Sequence, residues 1–406
     1  MSDLCGNEHD SRVQKGRKRI VLLGSSSGRN AGDAALIEAI MSDIVSEAGE
    51  VEFLIPTIKP NFIKRSYPGL PVRPVSMLPW HLSVKMIGLP TFLAIRSADA
   101  VLIFDAILFD KNLYNPLFNH VTALAMFIPY ARRGNKLTGL YNVSVGPFDT
   151  KTGLRLLARI AKNCDFITVR DSDSGKLLES VGIDEKKIVQ TSDAALNVRS
   201  ADDARVAEIL SNERIKLDKP LIGVNINSYL GSWLKDKKHQ VNREEFLGSL
   251  AQSLNKIKSM ANANLVFFVT QIMDHGITED LISRLANPDE VGLVSNLKYS
   301  CNEIAGVMAR LDYFMGMRLH SIILACSVYT PVMGLIYHHK VRSFLSEIGF
   351  EGSRLELEEI VSGGLPPFFM ELWNNRGEAK KKLTVNVSKL KIDAKKAATL
   401  FVQMIT

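Results

Sequence analysis

Arg318 and His320 stand two residues apart in "MGMRLHSIILA" (315–325), where an apolar strand-like run gives way at once to helix formers. A guanidinium is a planar fork that grips a carboxylate or phosphate through two bonds. An imidazole titrates near neutrality, so it can bind an anion as a cation or carry a proton. If the backbone is still extended there, residues two apart face the same side and both side chains converge on one ligand. An arginine paired with a nearby aspartate and a histidine capping a helix would look the same in sequence. The next apolar run ends in "IYHHK" (336–340), which adds His338, His339 and Lys340 near the same edge. Adjacent strand residues point oppositely, and no carboxylate or cysteine spacing accompanies the two histidines. An anion contact or an exposed turn is therefore expected there, not zinc.

A second junction, "GSSSGRNAGDAAL" (24–36), fits neither GxGxxG nor GxxxxGK[ST]. Asp33 is expected as the helix N-cap, where its carboxylate would repel an approaching phosphate. The loop therefore suits a polyol, with Asn30, Asp33 and the serines bonding hydroxyls; a tight glycine turn with a capped helix accounts for the pattern equally well. "RDSDSGKLLESVGI" (170–183) and "TSDAAL" (191–196) follow strand-like runs and begin with capping residues. The chain shows no nucleophile elbow and no paired-cysteine metal site.

The elements that must position these residues alternate. Strand-like runs at 19–24, 51–56, 100–105, 137–146 and 165–170 are separated by helix-length segments, and the pattern restarts at "LIGVNIN" (221–227). Apolar strands alternating with helices imply parallel sheets covered on both faces. At 406 residues two α/β domains facing a cleft are expected, at 19–200 and 215–380. A disordered basic tail (1–18) would precede them and a helical extension (381–406) would follow. The formal net charge of +7 suits an anionic small substrate or a membrane surface. No basic stripe with interleaved aromatics suggests nucleic acid. Four scattered cysteines imply free thiols in a reducing compartment. Residues 77–95 contain His81, Lys85 and two prolines, so they suit buried helix and loop or a shallow interfacial contact better than a membrane span.

Taken together, "GSSSGRNAGDAALIEAI", "VRDSDSGKLLESVGI" with "TSDAAL", and "MGMRLHSIILACSVYTPVMGLIYHHKVRSFLSEIG" resemble, in order, the signatures of the polysaccharide pyruvyl transferase family. The last is the most specific. The resemblance implies a fold of two Rossmann-like domains, like the glycosyltransferase B class. It also implies transfer of a pyruvyl unit from phosphoenolpyruvate to two hydroxyls of a sugar, giving a cyclic ketal and phosphate. By the same resemblance Arg318 would clamp the donor anion and His320 would clamp it or act as general acid. Arg170 and Lys340 would neutralise the phosphate, while Asn30, Asp33, Asp105 and Asp110 would bind the acceptor, with Asp33 placed among the catalytic residues and the base left open among the three aspartates. No cofactor or metal is implied. The acceptor would be an oligosaccharide, free or lipid-linked, met in the cytoplasm or in peripheral contact with the membrane. One departure is "FDAILFD" (104–110), where many members carry a glycine-rich turn. Two alternatives stay open: a nucleotide-sugar glycosyltransferase of the same fold, which needs an acid for the ribose where none stands beside the RLH junction and only Glu303 and Asp312 are nearby in sequence, and a catalytically silent sugar-binding homologue, which the altered turn favours.

Overall fold

The computed structural model describes residues 17–76, 88–115, 119–228, 242–337 and 339–405. Most of the expected basic tail, residues 77–87 of the segment considered for an interfacial contact, and His338 lie outside them. The first domain runs β1 (Lys18–Leu23), α1 (Ala31–Ala48), β2 (Val51–Thr57), α2 (Pro60–Ser66), β3 (Val72–Ser76), α3 (Gly88–Ser97), β4 (Ala100–Ile103), α4 (Val121–Arg133), β5 (Leu137–Val143), α5 (Lys151–Ala161), β6 (Phe166–Val169), α6 (Ser172–Ser180) and β7 (Ile188–Gln190). The second runs α7 (Asp203–Asn212), β8 (Leu221–Asn225), α8 (Arg243–Met260), β9 (Asn264–Val269), α9 (His275–Ser283), β10 (Gly292–Ser295), α10 (Cys301–Met308), β11 (Tyr313–Gly316), α11 (Leu319–Ser327), β12 (Val332–Ile336), α12 (His339–Glu347) and β13 (Arg354–Glu356). Three helices close the chain: α13 (Leu357–Val361), α14 (Leu365–Asn374) and α15 (Arg376–Ile405).

The strands form two sheets, ordered β3-β2-β1-β4-β5-β6-β7 and β10-β9-β8-β11-β12-β13. All their pairings are parallel. Strands such as Ala100–Ile103 and Leu221–Asn225 are buried along their whole length, because helices cover both faces and no polar side is needed. Three strands without a sequence signal, β3, β7 and β13, are all edges of their sheets. They are short and only partly buried, so they lack the apolar run that marks a central strand. In each sheet the order reverses once, between β1 and β4 and between β8 and β11, which opens a crevice at the carboxyl ends of those strands.

The two crevices face each other over a continuous core. Ile40 and Ile44 of α1, Leu196, Ile323 and Leu324 of α11, and Phe401 of α15 belong to one buried cluster. Helix α15 returns from the second domain to pack on α1 and β5 of the first. Backbone bonds also stitch the domains together: Ala31 N donates to Thr270 O at 2.7 Å and Ile272 N to Arg29 O at 3.0 Å. These flank an antiparallel bridge between Asn30 and Gln271.

Candidate active site

Helix α1 begins at Ala31, and its cap lies three positions before the expected Asp33, at Asn30. Its Oδ1 accepts from Gly32 N at 2.9 Å, and its Nδ2 donates to Asp33 Oδ1 at 2.8 Å. Asp33 thus lies in the first turn, and its other oxygen accepts from Ser25 Oγ at 2.6 Å. Burial, then the charge of Asp105, raises the Asp33 carboxyl well above its ordinary range. Asp105 follows β4 in the left-handed region, φ 73°, where a non-glycine residue costs about 1 kcal/mol. The loop that lacks the glycine therefore still makes the turn. Burial raises Asp105 as well, with Arg170 opposing the shift. Asp110 does not join them. Its Oδ2 accepts from Thr150 N at 2.6 Å and Thr150 Oγ1 at 2.7 Å, and Thr150 in turn caps α5. The carboxylate therefore ties a loop to a helix end and is not turned to the crevice.

Arg170 follows β6 and is the centre of the site. Its Nη1 lies 2.9 Å from Asp193 Oδ2 and 3.4 Å from His320 Nε2, and its Nη2 lies 3.9 Å from Asp105 Oδ1. The second domain supplies His320 from the first turn of α11. The fit between domains is close: a Cβ on Gly32 would fall 2.3 Å from His320 Cγ. Burial, then the Arg170 charge, pushes the His320 imidazole down to about 4, so it stands neutral near pH 7. Lys340, in the first turn of α12, reaches back to the first domain and donates to Ser144 Oγ at 2.9 Å. Burial, followed by Arg170, lowers its pKa too.

Arg318 and His320 do not converge. The strand ends at Gly316 and Arg318 is already the N-cap of α11, so the two-residue alternation that would have aligned them is broken. The Arg318 fork closes on Asp274, with Nη2 donating to Oδ1 at 2.7 Å and Nε to Oδ2. Asp274 is fully buried. Three residues here gave no usable signal in sequence. Asp193 reads as a helix cap, and it is one, its Oδ1 accepting from Ala195 N at 2.9 Å; its second oxygen serves Arg170. Asp274 finds its arginine across two βα units. Asn142, buried inside β5, holds the Asp193 segment by donating to Ser192 O at 2.7 Å and accepting from Ala194 N at 2.9 Å.

Between the domains Ser144, Arg170, Asp193 and Lys340 border a cavity of about 640 Å³, together with His339 and Ser343 among others. That volume is in the range of small-ligand sites. A second cavity of about 400 Å³ is lined by Ser25, Ser27 and Arg29 of the loop before α1 and by Thr57, His120 and Phe127.

Two parallel-sheet domains with a polar centre walled by both define an enzyme of glycosyltransferase-B-like architecture. The chain belongs to the polysaccharide pyruvyl transferase family, whose pattern it matches over residues 30–339. The amylovoran biosynthesis protein AmsJ of Erwinia amylovora is 20% identical over 294 residues, which cover 69% of this chain and 68% of that protein. Among solved structures, the UDP-GlcNAc 2-epimerase of Neisseria meningitidis superposes with a TM-score of 0.61 at 12% identity, covering 95% of this chain and 98% of its own. The ADP-heptose lipopolysaccharide heptosyltransferase II of E. coli superposes with a TM-score of 0.52 at 9% identity, covering 89% and 99%. At these identities the structural likeness speaks for the fold.

Proposed function

We propose that the protein transfers a pyruvyl group from phosphoenolpyruvate to two hydroxyls of one sugar in a polysaccharide or its precursor, forming a cyclic ketal. The observation that carries this reading is the interdomain cavity lined by Arg170 and Lys340, one from each domain, with the neutral His320 in contact with Arg170 behind its wall. A donor bearing both a carboxylate and a phosphate needs more than one cation, and these two can meet it from opposite walls. Arg318, already gripped by Asp274, adds positive field at the α11 N-terminus and leaves the direct contacts to Arg170 and Lys340.

Burial, then the charges of Arg170 and Lys340, keeps His320 neutral, and the donor would cancel the charge contribution. An anion bound between Arg170 and Lys340 restores the imidazole's affinity for a proton, so donor binding arms the general acid. His320 then protonates C3 of the enol ether and C2 becomes an oxocarbenium-like centre. One sugar hydroxyl adds to C2 and gives up its proton. The C2–O bond to phosphate breaks, and the second hydroxyl adds in its place. Of the two hydroxyl protons, one replaces that delivered to C3 and one leaves on the phosphate, so the products are ketal and hydrogen phosphate. Asp33, on the acceptor side and with its pKa raised, is the base suited to take the hydroxyl proton.

The test incubates pure protein with phosphoenolpyruvate and a panel of free, lipid-linked and nucleotide-linked sugars. The expected result is phosphate release that depends on both substrates, with a ketal in the sugar product. Glycosyl transfer from a nucleotide sugar, with no consumption of phosphoenolpyruvate, would overturn the reading.

A further inference from the structure

The outer face of the first domain carries a surface that this chemistry leaves unused. Helices α3, α4 and α5 cover one side of the seven-stranded sheet over a common core, with α4 packed against both neighbours. Leu89 and Leu93 on α3 are 63% and 53% exposed, and Met126 and Tyr130 on α4 are 58% and 38% exposed. Each pair is four apart and so shares one side of its helix. Phe92 links the two helices edge-to-face, its ring centroid 4.9 Å from those of Phe127 and Tyr130. Each row ends in an exposed arginine, Arg96 and Arg133. On α5 and its C-cap, Lys151, Arg155, Arg159 and Lys162 follow at spacings of four, four and three, all exposed. None of the three helices contains an aspartate or glutamate.

Soluble surfaces mix both signs of charge and scatter their apolar side chains. Here the apolar side chains are gathered and the charge is of one sign. We propose that the α3–α4–α5 face docks on an anionic lipid bilayer, with Leu89, Leu93, Met126 and Tyr130 entering the headgroup region and the α5 row lying along the lipid phosphates. A second copy of the chain is a poorer occupant, since a twofold contact would bring one basic row close to another. The docking is independent of the donor chemistry. If the acceptor reading also holds, a lipid-linked sugar would approach the smaller cavity from this side, because α3 and α4 supply part of its wall through Thr91, Ala123 and Phe127.

The test is cosedimentation of the full chain with phosphatidylcholine vesicles, with and without phosphatidylglycerol. Binding is expected only to the anionic vesicles. Arg155→Glu with Arg159→Glu should lower the partition coefficient about tenfold or more, since each basic residue near such a surface is worth about 1 kcal/mol. Leu93→Glu with Met126→Glu should remove the binding that survives high salt. All four positions are exposed, so melting temperature should hold. Lys389→Glu with Lys395→Glu on α15 changes the net charge equally and should leave partition nearly unchanged. No binding to anionic vesicles would overturn the proposal, as would equal losses in the α15 control. A dimer split by Met126→Glu and indifferent to vesicles would overturn it in favour of a second copy. The melting shift with phosphoenolpyruvate, read on the same preparation, keeps a failure of docking distinct from a failure of the donor reading.

Discussion

An imidazole kept neutral by burial and, after it, by two neighbouring cations responds to any anion that neutralises those cations. Donor binding should therefore draw a proton onto His320 at pH values above its resting value of about 4. Calorimetry of phosphoenolpyruvate binding in buffers of different ionisation enthalpy should show proton uptake that His320→Gln removes, and that variant should lose about 10²–10⁴ in turnover. Equal uptake by both proteins would take His320 out of the mechanism. The same group sets an acid limit on stability. Its folded pKa is depressed, so the unfolded chain binds the extra proton between about 6.5 and about 4. Stability is thus full above that window and is lost as pH falls through it, and the acid loss should be smaller in His320→Gln. Arg318 behaves differently from what its spacing implied. Because its fork holds the buried Asp274, Arg318→Lys should lower the melting temperature as well as activity, since disturbing a buried pair costs up to about 3–5 kcal/mol. An Arg318→Lys protein with unchanged melting would show that the pair is not structural. Pairing across the fold is why Asp274 could not be read from sequence: nothing local marks it. Asp193 was hidden for another reason, since its capping bond alone accounts for its presence before the short 3-10 helix Ala194–Asn197.

At the scale of elements, the centre is a meeting of helix ends, α1 from one sheet and α11 from the other. The glycine at the start of α1 is required by space, since its backbone has no positive φ. Gly32→Ala would drive a methyl into the His320 ring and so push α11 away from Arg170. Overpacking of this kind costs about 1–3 kcal/mol; the expected outcome is a folded protein with lowered melting temperature and a disproportionate loss of turnover. Wild-type turnover in that variant would mean the two ends separate freely. The helices and central strands were legible because buried parallel strands leave continuous apolar runs. Three of the four sheet edges were not, because β3, β7 and β13 keep one side out of the core, whereas the better buried β10 was. The cap of α1 was misjudged by three residues because Asn30 and Asp33 are both good caps, and only the loop's path shows which one closes the helix.

The whole molecule places Arg170 and Lys340 on opposite domains, so under the proposed function a donor between them would link the domains as well as bind each. Phosphoenolpyruvate should raise the melting temperature, by the equivalent of about 2.7 kcal/mol at a hundredfold excess over its dissociation constant. UDP- and GDP-sugars that are not acceptors should leave it unchanged; the reverse pattern would reverse the assignment of donor. The pairing of Asn30 with Gln271 has a further consequence. Two shells pinned together by main-chain bonds at the floor of their crevice cannot separate there, so they must open like a clamshell about that seam. The seam sits beside Asp33 and His320, while Lys340 and Ser144 meet across the cavity. Each breath of the enzyme should therefore release the phosphate-facing lip first and leave the proton-handling floor nearly still. Deuterium exchange would register this as a protected Ala31 amide beside rapid exchange in the first turn of α12, with phosphoenolpyruvate slowing only the latter.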